Sequence, residues 1–163
     1  MNYTKLNLGS YLNPRAGYLN ADILRWDGVD QIVDLNRLPW PWKNGQFEEV
    51  IALDIIEHLG KLTKLEILDE LARITTKGGK VVVRVPCVTH YNALASLQHA
   101  HAFFINSFEE GYTQPYFRVK RRTLGFTDGG RQYYYGGPLA RVWDFLLCHT
   151  RLVWTITFEL EKK

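Results

Sequence analysis

Apolar and polar positions along the chain follow two alternating periods, which predicts strands interleaved with helices. Apolar segments of strand length occur at YTKLNL (3–8), GYLNADI (17–23), DQIVDL (30–35) and EEVIALD (48–54). The last of these is a continuous apolar run between acidic residues, the pattern of a strand buried on both faces of a parallel sheet. KVVVRVP (80–86) is β-branched and ends at a proline, and it is the clearest strand in the chain.

The period changes to that of a helix in LTKLEILDELARITTKGG (62–79). Apolar residues fall on one face of this helix and the charged residues, Glu70 among them, fall largely on the other. Thr63 and Glu66 have the spacing of a capping box at its start, and Gly78 with Gly79 is the predicted stop. Further along come a second helix, a basic strand, a third helix and a last strand, predicted at 92–104, 116–126, 138–147 and 151–161.

Strands that alternate with helices predict an α/β fold built around a mostly parallel sheet. One connection is unusual, because only residues 10–17 separate the first two strands. A crossover between parallel strands normally takes about a dozen residues or more. Any helix in this connection is therefore expected to be a single turn at most.

Length and composition predict a single domain over residues 1–163, since 163 residues of which 46% are hydrophobic can bury a substantial core. No apolar run approaches the roughly 20 residues of a membrane span, and the first residues do not resemble a signal peptide. We therefore expect a cytoplasmic protein. The two cysteines, Cys87 and Cys148, have no metal-ligand spacing, so no disulfide and no metal site is predicted.

Positive charge is concentrated in one part of the chain, where residues 113–151 carry seven Lys or Arg and two Asp. The basic strand holds four of these cations, Arg118, Lys120, Arg121 and Arg122, and a Gly/Tyr-rich segment follows it. Cations interleaved with aromatic residues favour contact with nucleic acid or another anionic acceptor. The same cations would also protect an exposed edge strand from aggregation, and both interpretations stay open.

Acidic or glycine residues stand at the predicted carboxyl ends of the first four strands, which are Gly9, Asp22, Asp34 and Asp54. In doubly wound sheets, ligands bind beyond these strand ends. A glycine lets the backbone approach a ligand closely, and a carboxylate after the second strand can accept hydrogen bonds from ribose hydroxyls. Asp is also a common turn residue, so one position alone would mean little.

The series KLNLGS, GYLNADI, DLNRLPWPW, EEVIALDIIEHL and KGGKVVVRVP resembles the class I S-adenosylmethionine-dependent methyltransferases. The resemblance covers roughly the first 90 residues, in order and in spacing. It implies a Rossmann-like α/β sandwich with a mostly parallel sheet and an antiparallel C-terminal strand. It also implies methyl transfer from S-adenosylmethionine to an acceptor that the sequence does not identify.

The resemblance further assigns residues to the cofactor. Gly9 and Ser10 would lie under its methionine part, Asp22 would bind the ribose, and Asp54 would sit near the sulfonium. Asp34 and Leu35 would flank the adenine.

Two features depart from the pattern of this family. Tyr11 replaces the second glycine of the family's GxG turn, and Asn13 is the residue expected to adopt a left-handed conformation in its place. An alternative interpretation is therefore a non-catalytic nucleic-acid-binding module with a degenerate cofactor pocket. A nicotinamide cofactor is less favoured, because a GxGxxG motif opening a crossover helix is absent.

Candidates for catalysis follow the fourth and fifth strands. His90 is the preferred general base, with Asp54 beside the reacting centre, and His99 is the second choice. His58 matches a histidine of the family that is more plausibly structural than catalytic. Cys87 could instead attack a pyrimidine covalently, or it could be an ordinary buried thiol.

Overall fold

Eight strands form one sheet in the computed structural model, which describes residues 3–108, 115–126, 132–134 and 153–163. The strands are β1 (Lys5–Leu8), β2 (Leu19–Asp22), β3 (Gln31–Ile32), β4 (Phe47–Leu53), β5 (Thr75–Pro86), β6 (Phe117–Phe126), β7 (Gln132–Tyr134) and β8 (Val153–Lys162). Their order across the sheet is β3-β2-β1-β4-β5-β8-β6-β7.

The sheet has the predicted mixture of directions. β3, β2, β1, β4 and β5 pair in parallel, and β8 lies antiparallel between β5 and β6. The short strand β7 pairs antiparallel with β6. The prediction of a mostly parallel sheet with an antiparallel C-terminal strand is confirmed.

The helix α1 (Lys64–Ile74) starts as predicted and ends earlier than predicted. Thr63 and Glu66 form both hydrogen bonds of a capping box. The stop is not at Gly78, because Thr75 already begins β5 and pairs with Phe47 of β4. The Thr75 hydroxyl donates to the Leu71 carbonyl at 2.6 Å, which satisfies an acceptor at the end of the helix.

The predicted helix over 92–104 is mostly wrong. The helix α2 covers only Tyr91–Ala95. The backbone N–H groups of Ala100 and His101 donate to the Glu57 carbonyl at 2.8 and 3.2 Å, and these long-range bonds replace helical ones. The helix predicted at 138–147 lies outside the described residues. Within the described part of the chain, no helix is long and apolar enough to cross a membrane.

Buried polar groups of α1 attach it to the segment before β4. Glu70, predicted on the polar face, is 7% exposed and accepts from the Trp40 backbone N–H at 2.7 Å and from Arg73. Arg73 in turn donates to the carbonyls of Trp40 and Trp42. Both tryptophans are buried in the core.

The connection between β1 and β2 contains no helix, and a buried asparagine takes over the hydrogen bonding. The Asn20 Oδ1 atom accepts from Asn7 Nδ2 at 2.9 Å and from the Arg15 backbone N–H at 2.7 Å. Its Nδ2 group lies 3.1 to 3.2 Å from the carbonyls of Arg15 and Tyr18 and from Asp30 Oδ2. One side chain therefore fixes the path of the ten residues 9–18.

We expect Asn20→Ala to lower the free energy of unfolding by roughly 2 to 4 kcal/mol, because the Arg15 backbone N–H would lose its acceptor and the buried Asn7 amide would lose one of its two acceptors. Urea unfolding followed by circular dichroism measures this change. Asn106→Ala is the matched control, since Asn106 is exposed and should change stability by no more than about 0.5 kcal/mol. Equal stability of the two variants would contradict the role given to Asn20.

Candidate functional site

A cavity of about 960 Å³ lies beyond the carboxyl ends of β1, β2 and β4. Strand order reverses between β1 and β4, so the cavity is at the topological switch point of the sheet. Four of the residues predicted to bind the cofactor are among those that line it, namely Gly9, Ser10, Asp22 and Asp54. Its size is that of an ordinary small-molecule site.

Gly9 and Ser10 form the wall of this cavity directly after β1. Gly9 has φ +62°, and a Cβ atom placed on it would lie 2.6 Å from the Ile55 side chain. Both the conformation and the contact require glycine here. Ser10 is 2% exposed, and its Oγ has no hydrogen-bond partner among the described residues. A ligand in the cavity could supply that partner.

The turn after Ser10 is closed by Asp22. The Tyr11 backbone N–H donates to Asp22 Oδ2 at 2.9 Å, and the Leu24 backbone N–H donates to Oδ1 at 3.0 Å. Tyr11 itself has φ +42°, whereas Asn13 is not in the left-handed region, so the prediction for Asn13 was wrong. The Tyr11 side chain is half exposed and its ring meets the Trp26 ring edge to face. The side chain therefore packs on Trp26.

Asp54 stands at the end of β4 with φ +55°, a strained conformation for a residue with a side chain. The Arg84 guanidinium donates to Asp54 Oδ2 through Nε at 2.9 Å and also through Nη2. In the backbone, the Asp54 N–H donates to the Arg84 carbonyl at 2.9 Å. The ion pair therefore bridges neighbouring strands and fixes the carboxylate at the cavity wall.

A second cavity of about 630 Å³ shares Asp54, His58 and Arg84 with the first. Glu57 and His99 also line it. Burial is the main cause that raises the pKa of Glu57 to about 8, and the nearby Asp54 charge contributes to this increase. Burial also lowers the pKa of His58, with His99 adding to the effect, so the neutral imidazole is favoured.

The rings of His58 and His99 meet with centroids 4.8 Å apart. The fold thus brings the predicted second-choice base to a cavity that Asp54 also lines. The sequence analysis did not identify Glu57, whose only signal is an acidic residue directly after two isoleucines in the segment DIIEHL (54–59).

Two residues predicted to flank the adenine, Asp34 and Leu35, line neither cavity. Asp34 accepts from the Asn36 backbone N–H at 3.0 Å and forms an ion pair with Arg37 at 3.1 Å. Leu35 is buried in the core, and its carbonyl accepts from the Trp40 indole. β3 ends at Ile32, which places both residues past the strand end. Their binding role stays a prediction.

His90, the preferred base, lines neither of these cavities but a separate one of about 470 Å³, which meets the second cavity at Ala95. It is 4% exposed, stacks on the Trp154 ring, and its pKa is lowered by burial. Cys87 is fully buried in the core, with its Sγ 3.1 Å from Thr89 Oγ1. That environment is typical of a structural thiol.

The basic strand β6 lies beside β8, and three of the cations predicted to contact an acceptor form ion pairs there. Arg118 and Lys120 contact Glu161 at 3.6 and 3.2 Å, and Arg121 contacts Glu159 at 3.9 Å. These pairs agree with the interpretation of β6 as a protected strand. Contact of β6 with an anionic acceptor stays a prediction.

Comparison with solved structures identifies the fold. The chain superposes on a methyltransferase from Thermotoga maritima, described as a possible histamine N-methyltransferase, with a TM-score of 0.67 and 14% identity, covering 98% of this chain and 81% of the other. An S-adenosylmethionine-dependent methyltransferase from Archaeoglobus fulgidus gives a TM-score of 0.64 and 13% identity, with coverages of 99% and 88%.

Phosphoethanolamine N-methyltransferase 2 of Haemonchus contortus, solved with S-adenosylmethionine, also gives a TM-score of 0.64, at 13% identity. The match covers 97% of this chain and 48% of that enzyme, so the chain spans about half of its length. No protein-family model matches the sequence, and no curated protein matches it. The chain has the fold of the class I S-adenosylmethionine-dependent methyltransferases.

We expect Gly9→Ala to destabilise the chain more than Gly17→Ala. Both glycines have positive φ, so each alanine adds the strain of a left-handed residue. At position 9 the new Cβ meets the Ile55 side chain, whereas at position 17 no atom of the described residues lies within 4 Å. The difference should be about 1 to 3 kcal/mol, the usual effect of overpacking, and chemical denaturation measures it. Equal losses would show that Ile55 does not restrict this turn.

Proposed function

We propose that the chain is a methyltransferase that binds S-adenosylmethionine in the cavity at the ends of β1, β2 and β4. The observation that carries the proposal is the coincidence of three features at the switch point of a methyltransferase-like sheet. These are a glycine that only fits without a side chain, a buried serine hydroxyl without a described partner, and a carboxylate at the end of β2.

The residues that line the cavity fit the parts of this cofactor. Gly9 and Ser10 would lie against its methionine portion, where a Cβ at position 9 has no room and the Ser10 hydroxyl can donate or accept. Asp22 would accept from the ribose hydroxyls, since each carboxylate oxygen has a lone pair beyond the one used by the loop backbone. Ile23 lines the same cavity and offers an apolar surface for the adenine.

S-adenosylmethionine supplies a methyl group activated by a sulfonium. The task of the chain is then to orient the acceptor and to receive a proton where one is released. The acceptor would bind in the second cavity. This cavity adjoins the proposed cofactor site, because Asp54, His58 and Arg84 line both cavities. Asp54 stands at this junction, held by Arg84. The role of His90 as the base is a proposal that needs the acceptor to approach from the Ala95 side.

The acceptor itself is not identified. A nucleic-acid acceptor would have to compete with Glu159 and Glu161 for Arg118, Lys120 and Arg121. The alternative of a non-catalytic nucleic-acid-binding module gains no support from these pairs. The two cavities favour a small or narrow acceptor group.

The proposal is tested by calorimetric titration with S-adenosylhomocysteine, the product of methyl transfer. The chain should bind one equivalent. Asp22→Asn should bind roughly 10-fold more weakly, because it replaces charge-assisted hydrogen bonds to the ribose with neutral ones. The amide keeps the size of the side chain and one acceptor for the loop.

Asp27→Asn is the matched control, since Asp27 is an exposed acid five positions further along the chain. It should bind like the original sequence. An absence of binding by the unmodified chain would refute the proposed function. Equal affinity of the two variants would show that Asp22 does not hold the ribose.

A further inference from the structure

Three side chains that the proposed cofactor site does not use come together at the wall of the second cavity. Glu57 and His58 belong to the 3-10 turn Ile56–His58, and His99 comes from the segment after α2. Their potential ligand atoms all lie within 4.8 Å of one another. All three line the second cavity.

The environment of the Glu57 carboxyl group is the main reason to expect a bound cation. It is 1% exposed, and neither carboxylate oxygen has a hydrogen-bond partner among the described residues. Ionising a buried carboxyl group without a cation or a donor beside it is strongly unfavourable. Arg84 lines the same cavity but directs Nε and Nη2 to Asp54. A bound cation would neutralise the Glu57 carboxylate, for which the described residues provide no hydrogen-bond donor.

Contacts with backbone carbonyls fix the tautomer of both histidines. His58 Nδ1 lies 3.3 Å from the Gln98 carbonyl, and His99 Nδ1 lies 3.1 Å from the Ala93 carbonyl. A carbonyl can only accept, so each Nδ1 carries the proton and each Nε2 is left with a free lone pair. Metal-binding histidines in proteins are usually fixed in this way, by a carbonyl or carboxylate on the other ring nitrogen.

We propose that Glu57, His58 and His99 form a binding site for a divalent transition metal, with Zn²⁺ as the cation that this donor set favours. Two imidazoles and one carboxylate are a known zinc ligand set, which leaves a fourth position for water or an acceptor atom. The proposal departs from the sequence-based prediction of no metal site, which rested on cysteine spacing. Glu57 and His58 are adjacent in sequence and His99 is distant, so no spacing motif is present.

Closing the site requires a modest contraction. Ligand atoms bonded to zinc at 2.0–2.2 Å stand about 3.4 Å apart in a tetrahedron, so the widest pair must approach by roughly 1 to 1.5 Å. His99 lies outside any helix or strand, and its ring can move without breaking the sheet. The open position would face the second cavity.

The test is titration of the untagged chain, first stripped with EDTA, with Zn²⁺ by calorimetry and with Co²⁺ by absorption spectroscopy. The unmodified chain should bind one equivalent of metal. Bound Co²⁺ should give absorption bands in the visible range that are typical of a site with few ligands. His99→Ala and Glu57→Gln should each weaken metal binding by roughly 10- to 100-fold or more. Loss of an outer-shell partner alone has an effect of that size, and these residues are proposed as direct ligands. Circular dichroism establishes that each variant is folded.

His101→Ala is the matched control. His101 is two residues from His99, but its Nε2 contacts the Leu59 carbonyl at 3.1 Å and it is not part of the cluster. Its removal should leave metal affinity unchanged. The proposal is overturned if the unmodified chain binds no stoichiometric metal, or if His101→Ala weakens binding as much as His99→Ala does. Neither readout requires the cofactor or an acceptor, so failure here is distinct from failure of the proposed function.

Discussion

The structure depends on how two adjacent parallel strands are joined by only ten residues. Such a connection has no helix to satisfy its backbone, and buried polar groups without partners are costly. Asn20 and Asp22, which are two residues apart and lie on the same face of β2, supply those partners to the connecting loop. The loop is thereby held against the end of β1, and this fixed position places Gly9 and Ser10 at the cavity wall.

On the other side of the cavity, hydrogen bonds likewise fix the position of a single residue, Asp54. Asp54 is held in a left-handed conformation by its backbone and side-chain bonds to Arg84, on the neighbouring strand. The strain is compensated by hydrogen bonds that only the folded sheet can provide. Because Asp54 and Arg84 line both cavities, one ion pair defines the boundary between the proposed cofactor and acceptor sites.

Local patterns predicted local features well. The capping box at Thr63 and the parallel strands β2 and β4, which end at Asp22 and just before Asp54, follow from spacing within a few residues, and the structure confirms them. Features that depend on distant partners could not be predicted in this way. The burial of Glu70 needs Trp40, and the short α2 needs the Glu57 carbonyl. The approach of His99 to His58 likewise depends on a loop that periodicity treats as a helix.

Amide hydrogen exchange with and without S-adenosylhomocysteine tests most directly whether this cavity is the cofactor site. The account predicts that ligand slows exchange more in residues 9–24 and 53–58, which contain most of the residues that line the cavity, than in β6, which lines neither of the two cavities. Local protection of this kind reports the opening of individual segments. Protection confined to other segments, or no difference at saturating ligand, would contradict the account.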